Sequence, residues 1–131
     1  MAAAAQASAA EPNIWRACTV DSVTVCSPAG CSAGKPSTWL YLASYENEGK
    51  REAFYYHCSA DQRNCDTYTP VVHRSGAYLN FSLPQNGVIS RLGPDDTVTD
   101  VATIMDTVLI SRGKCLLEPP PIIRTNVRGR R

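Results

Sequence analysis

Histidine is scarce in this chain: among 131 residues, only His57 and His73 could act as a base near neutral pH. No Gly-x-Ser-x-Gly elbow presents a nucleophilic serine, no glycine-rich loop is placed to cradle phosphate, and no Cys-x-x-Cys offers a thiol-exchange pair. No run approaches the roughly 18 apolar residues that a membrane-spanning helix needs. With only 8 Gly and 9 Pro, collagen-like and low-complexity classes are excluded. A net charge of +1 supplies no whole-molecule field to draw in nucleic acid or an acidic membrane. The expectation is a protein that is not an enzyme, holds no metal or cofactor and contacts no nucleic acid.

The residues that could argue otherwise are few. His73, Ser75 and either Asp61 or Asp66 supply the residue types of a base, a nucleophile and an orienting acid. A serine near a histidine in a turn is nonetheless common. His57, His73 and a carboxylate have the atom types of a metal site but no diagnostic spacing. Asp95-Asp96 sits in a turn, where aspartate is expected for local hydrogen bonding.

A hydrophobic fraction of 44% is enough for one packed domain at this length. Residues 1–10, MAAAAQASAA, place small residues at the two positions a signal peptidase reads, in Ala7-Ser8-Ala9 and again in Ser8-Ala9-Ala10. They read as the remnant of a secretory signal, or as a disordered start. Residues 11–115 form the body. Residues 116–131 form an arm in which Pro119-Pro120-Pro121 excludes helix and central strand. Arg124, Arg128, Arg130 and Arg131 face one acidic residue there, Glu118, so the arm is basic and the body slightly acidic. Ile122, Ile123, Arg124 and Arg128 are its expected anchors on a partner.

Six cysteines, an even number beside an export-type start, read as three disulfides in a periplasmic or extracellular protein. Six allow fifteen pairings. Spacing prefers Cys26 with Cys31 and Cys58 with Cys65, each across a turn, which leaves Cys18 with Cys115.

Strand signals fill the body. Residues 22–25, 39–42, 54–56, 77–83, 88–92, 98–104 and 107–112 are short runs rich in aromatic or β-branched side chains, or alternating in polarity. Residues 46–50, 74–76, 84–87 and 93–96 carry turn chemistry. The expected fold is all-β: a small antiparallel barrel or sandwich of about seven or eight short strands, stapled by disulfides. A closed up-and-down course would bring the first and last strands together, as a Cys18–Cys115 bridge requires.

Tyr55 and Tyr56 stand for a tyrosine-rich stock that could present an aromatic platform to a protein, glycan or peptide, although strand propensity alone accounts for such residues. Lys35, at the tip of a loop stapled by Cys26 and Cys31, could enter a partner's cleft as inhibitor loops do.

Trp15, the cysteine cluster ending in Gly30-Cys31, the Cys58/Cys65 pair before Tyr68 and the late Ser111-Arg112-Gly113-Lys114-Cys115 together resemble small six-cysteine exported proteins of proteobacteria with no assigned function. The resemblance covers residues 14–115 and brings no catalytic residues. In size, compartment and fold class the chain is also similar to the β-barrel lysozyme inhibitors of the bacterial envelope. The functional expectation is an exported binding protein, an accessory or structural subunit of an envelope or extracellular assembly. The alternative is an inhibitor of a hydrolase such as lysozyme, acting through the Cys26–Cys31 loop.

Overall fold

A computed structural model describes residues 12–118 of the chain. Ten strands follow in order: β1 (Ile14–Ser27), β2 (Gly30–Gly34), β3 (Thr38–Asn47), β4 (Lys50–Ser59), β5 (Cys65–Tyr68), β6 (Val71–Ser75), β7 (Tyr78–Leu83), β8 (Val88–Leu92), β9 (Thr97–Ile104) and β10 (Thr107–Leu117). One 3-10 turn, Pro84–Asn86, joins β7 to β8. The all-β antiparallel reading holds, with ten strands in place of seven or eight. The three additions, β2, β5 and β6, are short and mostly exposed, so no buried face imposes alternation on them. No helix among the described residues is long and apolar enough to cross a membrane.

The sheet is one antiparallel layer in the order β5-β4-β3-β1-β10-β9-β8-β7-β6, with β2 added beside the second half of β1. Residues 14–68 and 71–117 are therefore two meanders, and the β1–β10 ladder is where they join. The expected closed course is not completed: β5 and β6 are the two ends of the hydrogen-bonded path, and the sheet curls as a half-barrel. Those ends still cannot lie far apart at one point, because only Thr69-Pro70 links Tyr68 to Val71, a reach of roughly 11 Å at most.

The curl has an inner face that carries the core. Cys18, Val20, Leu40, Leu42, Tyr55, Leu79, Phe81, Leu83, Leu92, Val98 and Cys115 pack there. Alternation along β1 puts Cys18 and Val20 inside and Trp15 and Ala17 outside, until a bulge between Val20 and Ser22 resets the phase. The three disulfides are Cys18–Cys115, Cys26–Cys31 and Cys58–Cys65, each between residues directly opposite on neighbouring strands. Three bridges of this kind are what an oxidising environment maintains.

The two rims differ. At one, the β8–β9 turn is tied in by the Arg16–Asp96 ion pair at 2.8 Å and by the Cys115 amide donating to the Asp96 carbonyl. At the other, the β1–β2 and β9–β10 hairpin tips stand side by side, since Cys26 pairs with Val108. This second rim is where the inner face opens.

Candidate functional site

Two surfaces have the character of sites: a cavity inside the curl at the open rim, and an aromatic face on its outside.

The cavity, of about 280 Å³, is lined on one wall by Tyr55 and His57 of β4 and by Asp66 and Tyr68 of β5. Leu83, Val88, Ala102 and Ile104 supply an apolar wall opposite, and Asp100 lines the space from β9. Alternation explains the polar residues: Asp100 is in phase with the inward Val98, and across the ladder Ser90 is in phase with Leu92. Asp100 is only 6% exposed and Ser90 is fully buried. The Tyr55 hydroxyl donates to Asp100 Oδ1 at 2.6 Å, and the Ser90 hydroxyl donates to the same oxygen. Burial, reinforced by the Asp100 charge, pushes the Tyr55 hydroxyl far above its ordinary pKa, so it keeps its proton and stays a donor. Among the described residues nothing donates to Asp100 Oδ2.

This network makes a stability prediction. Tyr55→Phe keeps the ring in the core but removes one donor from a buried carboxylate, and should cost about 1–3 kcal/mol. Chemical denaturation measures it. A loss no larger than that of an exposed Tyr78→Phe control would show that the hydrogen bond contributes nothing.

The outer face spans β1, β3 and β4. Trp15, Trp39, Tyr45, Phe54 and Tyr56 pack around the buried Ala17, Tyr41 and Ala43. Their rings form a chain of contacts: Trp39 stacks on Tyr41 with centroids 6.2 Å apart, Tyr41 meets Tyr56 at 5.6 Å, and Phe54 meets Tyr56 edge-on at 6.2 Å. Burial raises the Tyr45 hydroxyl pKa, and the Glu52 charge adds to it. The Trp15 indole N–H is buried without an acceptor among the described residues. Glu118 is fixed at the border of this face, its amide donating to the Trp15 carbonyl at 3.3 Å and its carbonyl accepting from the Tyr41 hydroxyl at 2.8 Å. The arm therefore starts on the aromatic face.

No family model, curated protein or solved structure matches the chain.

Of the expected partner-binding residues, Tyr56 is on the outer face, half-buried. Tyr55 is not: it is 1% exposed and turned inward, so it belongs to the core and the cavity wall rather than to an external platform. Adjacent strand residues face opposite ways, which forbids both tyrosines from sharing one surface. Lys35 is exposed, but the hairpin tip lies between Ser27 and Gly30, and Lys35 follows Gly34 at the hairpin's base. Ile122, Ile123, Arg124 and Arg128 lie outside the described residues.

The triad residue types are not assembled. Asp66 lines the cavity, whereas the His73 ring contacts Asn80 on β7. Asp61 accepts from the Ser59 hydroxyl and the Arg63 amide within its own loop, which lowers its pKa. Asp95 is likewise lowered, by the Thr97 hydroxyl in the turn where local bonding was expected. Among the described residues, no three His, Cys, Asp or Glu side chains are grouped to hold a metal ion.

Proposed function

We propose that this is an exported, non-catalytic binding protein of the periplasm or extracellular space that serves an assembly as an accessory subunit. It engages a protein partner through the outer aromatic face and the Pro/Arg arm rooted there. The observation that carries the reading is the aromatic cluster on the outside of a one-layer sheet. A half-barrel already buries its core on the inside, and single-domain stability does not call for five partly exposed aromatic rings on the other side. Tyrosine and tryptophan supply rigid contact area at low entropic cost, and a partner that covers them gains both area and hydrogen bonds. The arm's arginines add positive charge to the chain that continues from Glu118, a combination suited to an acidic-rimmed partner surface.

The hydrolase-inhibitor reading also has an observation behind it. The β1–β2 hairpin is stapled by Cys26–Cys31, β2 pairs with β1 alone, and its residues are mostly exposed. A rigid projecting loop is a low-entropy insert for a cleft.

One experiment separates them. The oxidised protein is cross-linked in native envelope extract and its partner identified, then the capture is repeated with three variants. Deletion of residues 119–131 and Trp39→Ala should each abolish capture with little change in melting temperature, while Lys35→Glu leaves it intact. The opposite pattern, with loss at Lys35 alone, would transfer the function to the hairpin. Capture unchanged in all three would remove both surfaces.

A further inference from the structure

The cavity inside the curl is independent of the outer face and invites a different ligand. Its buried carboxylate is unusual in what surrounds it. Asp100 is 6% exposed, yet the ion pair found among the described residues, Arg16–Asp96, is at the far rim. Both donors to Asp100 crowd onto Oδ1, and neither Tyr55 nor Ser90 brings a positive charge. A carboxylate buried beside neutral hydroxyls alone is costly, and a cation entering from the cavity would relieve that cost.

The walls specify what kind of cation. Tyr55 and Tyr68 meet edge-to-face at 6.1 Å and both line the space, so ring faces and edges are available to a weakly hydrated positive group. Asp66 adds a second carboxylate at the exposed mouth, and no Lys or Arg lines the cavity. Leu83, Val88, Ala102 and Ile104 make the far wall largely apolar, with Asn86 its one neutral polar side chain. A metal ion would need several converging oxygen or nitrogen donors, and the described residues do not group them. A volume of about 280 Å³ lies at the small end of cavities that hold organic ligands.

We propose that the open rim of the half-barrel binds a small organic ammonium ion, its head group against Asp100 Oδ2 and its apolar body along the Tyr55, Tyr68 and Ile104 walls. The ammonium replaces its water with one charge-assisted hydrogen bond and two aromatic contacts. Asp66 raises the local concentration of cations at the entrance.

The probe is benzylammonium chloride, titrated into the oxidised full-length chain while NMR follows the backbone amides and tyrosine rings. Saturable shifts should concentrate on Tyr55, Tyr68, Asp100 and Ala102, with a Kd on the order of 1 mM, in keeping with a ligand of few atoms. Benzyl alcohol, which has the same shape without the charge, should bind about tenfold more weakly, and benzoate weaker still. Asp100→Asn should lose about tenfold for the amine alone. Should that variant not fold, the comparison of amine with alcohol on the unaltered protein decides the matter. Equal binding of the two overturns recognition of charge, and no saturable shift overturns the site. Displacement of the amine by millimolar calcium would assign the cavity to a metal instead. Trp39→Ala and the arm deletion leave amine binding unchanged, so failure of the partner reading and failure of this one are read separately.

Discussion

Removing the Cys18–Cys115 bridge as the double alanine variant should lower the melting temperature by on the order of 20 °C, whereas removing Cys26–Cys31 should lower it by less than half as much. The difference follows from loop length and burial. Cys18 and Cys115 are 97 residues apart, and a loop of about that length restricts the unfolded chain by about 4–5 kcal/mol; Cys26 and Cys31 are 5 apart, which gives about 2 kcal/mol. The long bridge is also in the core, with Cys18 fully buried, while Cys31 is exposed. Domain stability is typically about 5–15 kcal/mol, so its loss removes a third or more of the total. Thermal melts of the two double variants, each confirmed to retain its other disulfides, provide the check. Equal drops would mean that the bridges act through something other than the loops they close.

The reason one bridge matters so much is topological. Nearly every other ladder joins strands that are neighbours in sequence, and each meander can form from local hairpins. The β1–β10 ladder must bring the two ends of the body together, and it pairs ten residues of each strand, from Arg16 with Leu117 to Cys26 with Val108. Closing that contact carries the largest chain-entropy cost in the fold. The Cys18–Cys115 bond lies within it, at the third pair from the Arg16–Leu117 end. Spacing alone suggested this pairing, because two short bridges across turns left no other partner for either residue.

Other features were legible for equally specific reasons. Residues 77–83 alternate cleanly because Leu79, Phe81 and Leu83 face the core, and β7 occupies residues 78–83. The strand signals at 98–104 and 107–112 fall in β9 and β10, which turn at Met105 and Asp106. What escaped lies where polarity and orientation part company. Phe54-Tyr55-Tyr56 has no polar residue to mark a face, so the buried Tyr55 was indistinguishable from its outward neighbour. Gly30-Cys31-Ser32-Ala33-Gly34 has almost no strand propensity and is held as β2 by pairing and a disulfide. The cavity was missed because no motif or spacing singles out Ser90 and Asp100. A signal was present: both fall in phase with apolar neighbours, Ser90 between Val88 and Leu92 and Asp100 between Val98 and Ala102. Two polar residues at inward positions on paired strands mark a polar pocket inside a barrel, once the phase of each strand is fixed.

Gly113→Ala should be among the most damaging single changes in the body, because it strikes the same junction from the side of backbone packing. Gly113 is buried opposite Val20, at the bulge of β1. A Cβ there would overlap the Thr19 carbonyl oxygen and lie 2.8 Å from its carbonyl carbon and 2.9 Å from Val20 Cα. These are backbone atoms in a central ladder, and no rotamer change relieves them. The expected cost is about 3 kcal/mol or more, at the upper end of what overpacking produces. Gly76→Ala is the control: its φ of +65° disfavours a side chain, but nothing lies within 4 Å, so it should cost only about 1 kcal/mol. Gly113 is two residues from Cys115, whose bond to Cys18 prevents β1 from retreating. The two sites should therefore couple. In the Cys18→Ala/Cys115→Ala background the strands can separate locally, and Gly113→Ala should lose at least about 1 kcal/mol of its penalty. A double-mutant cycle by urea denaturation measures that term, and strict additivity would show that β1 yields to the extra methyl even while the bridge holds it.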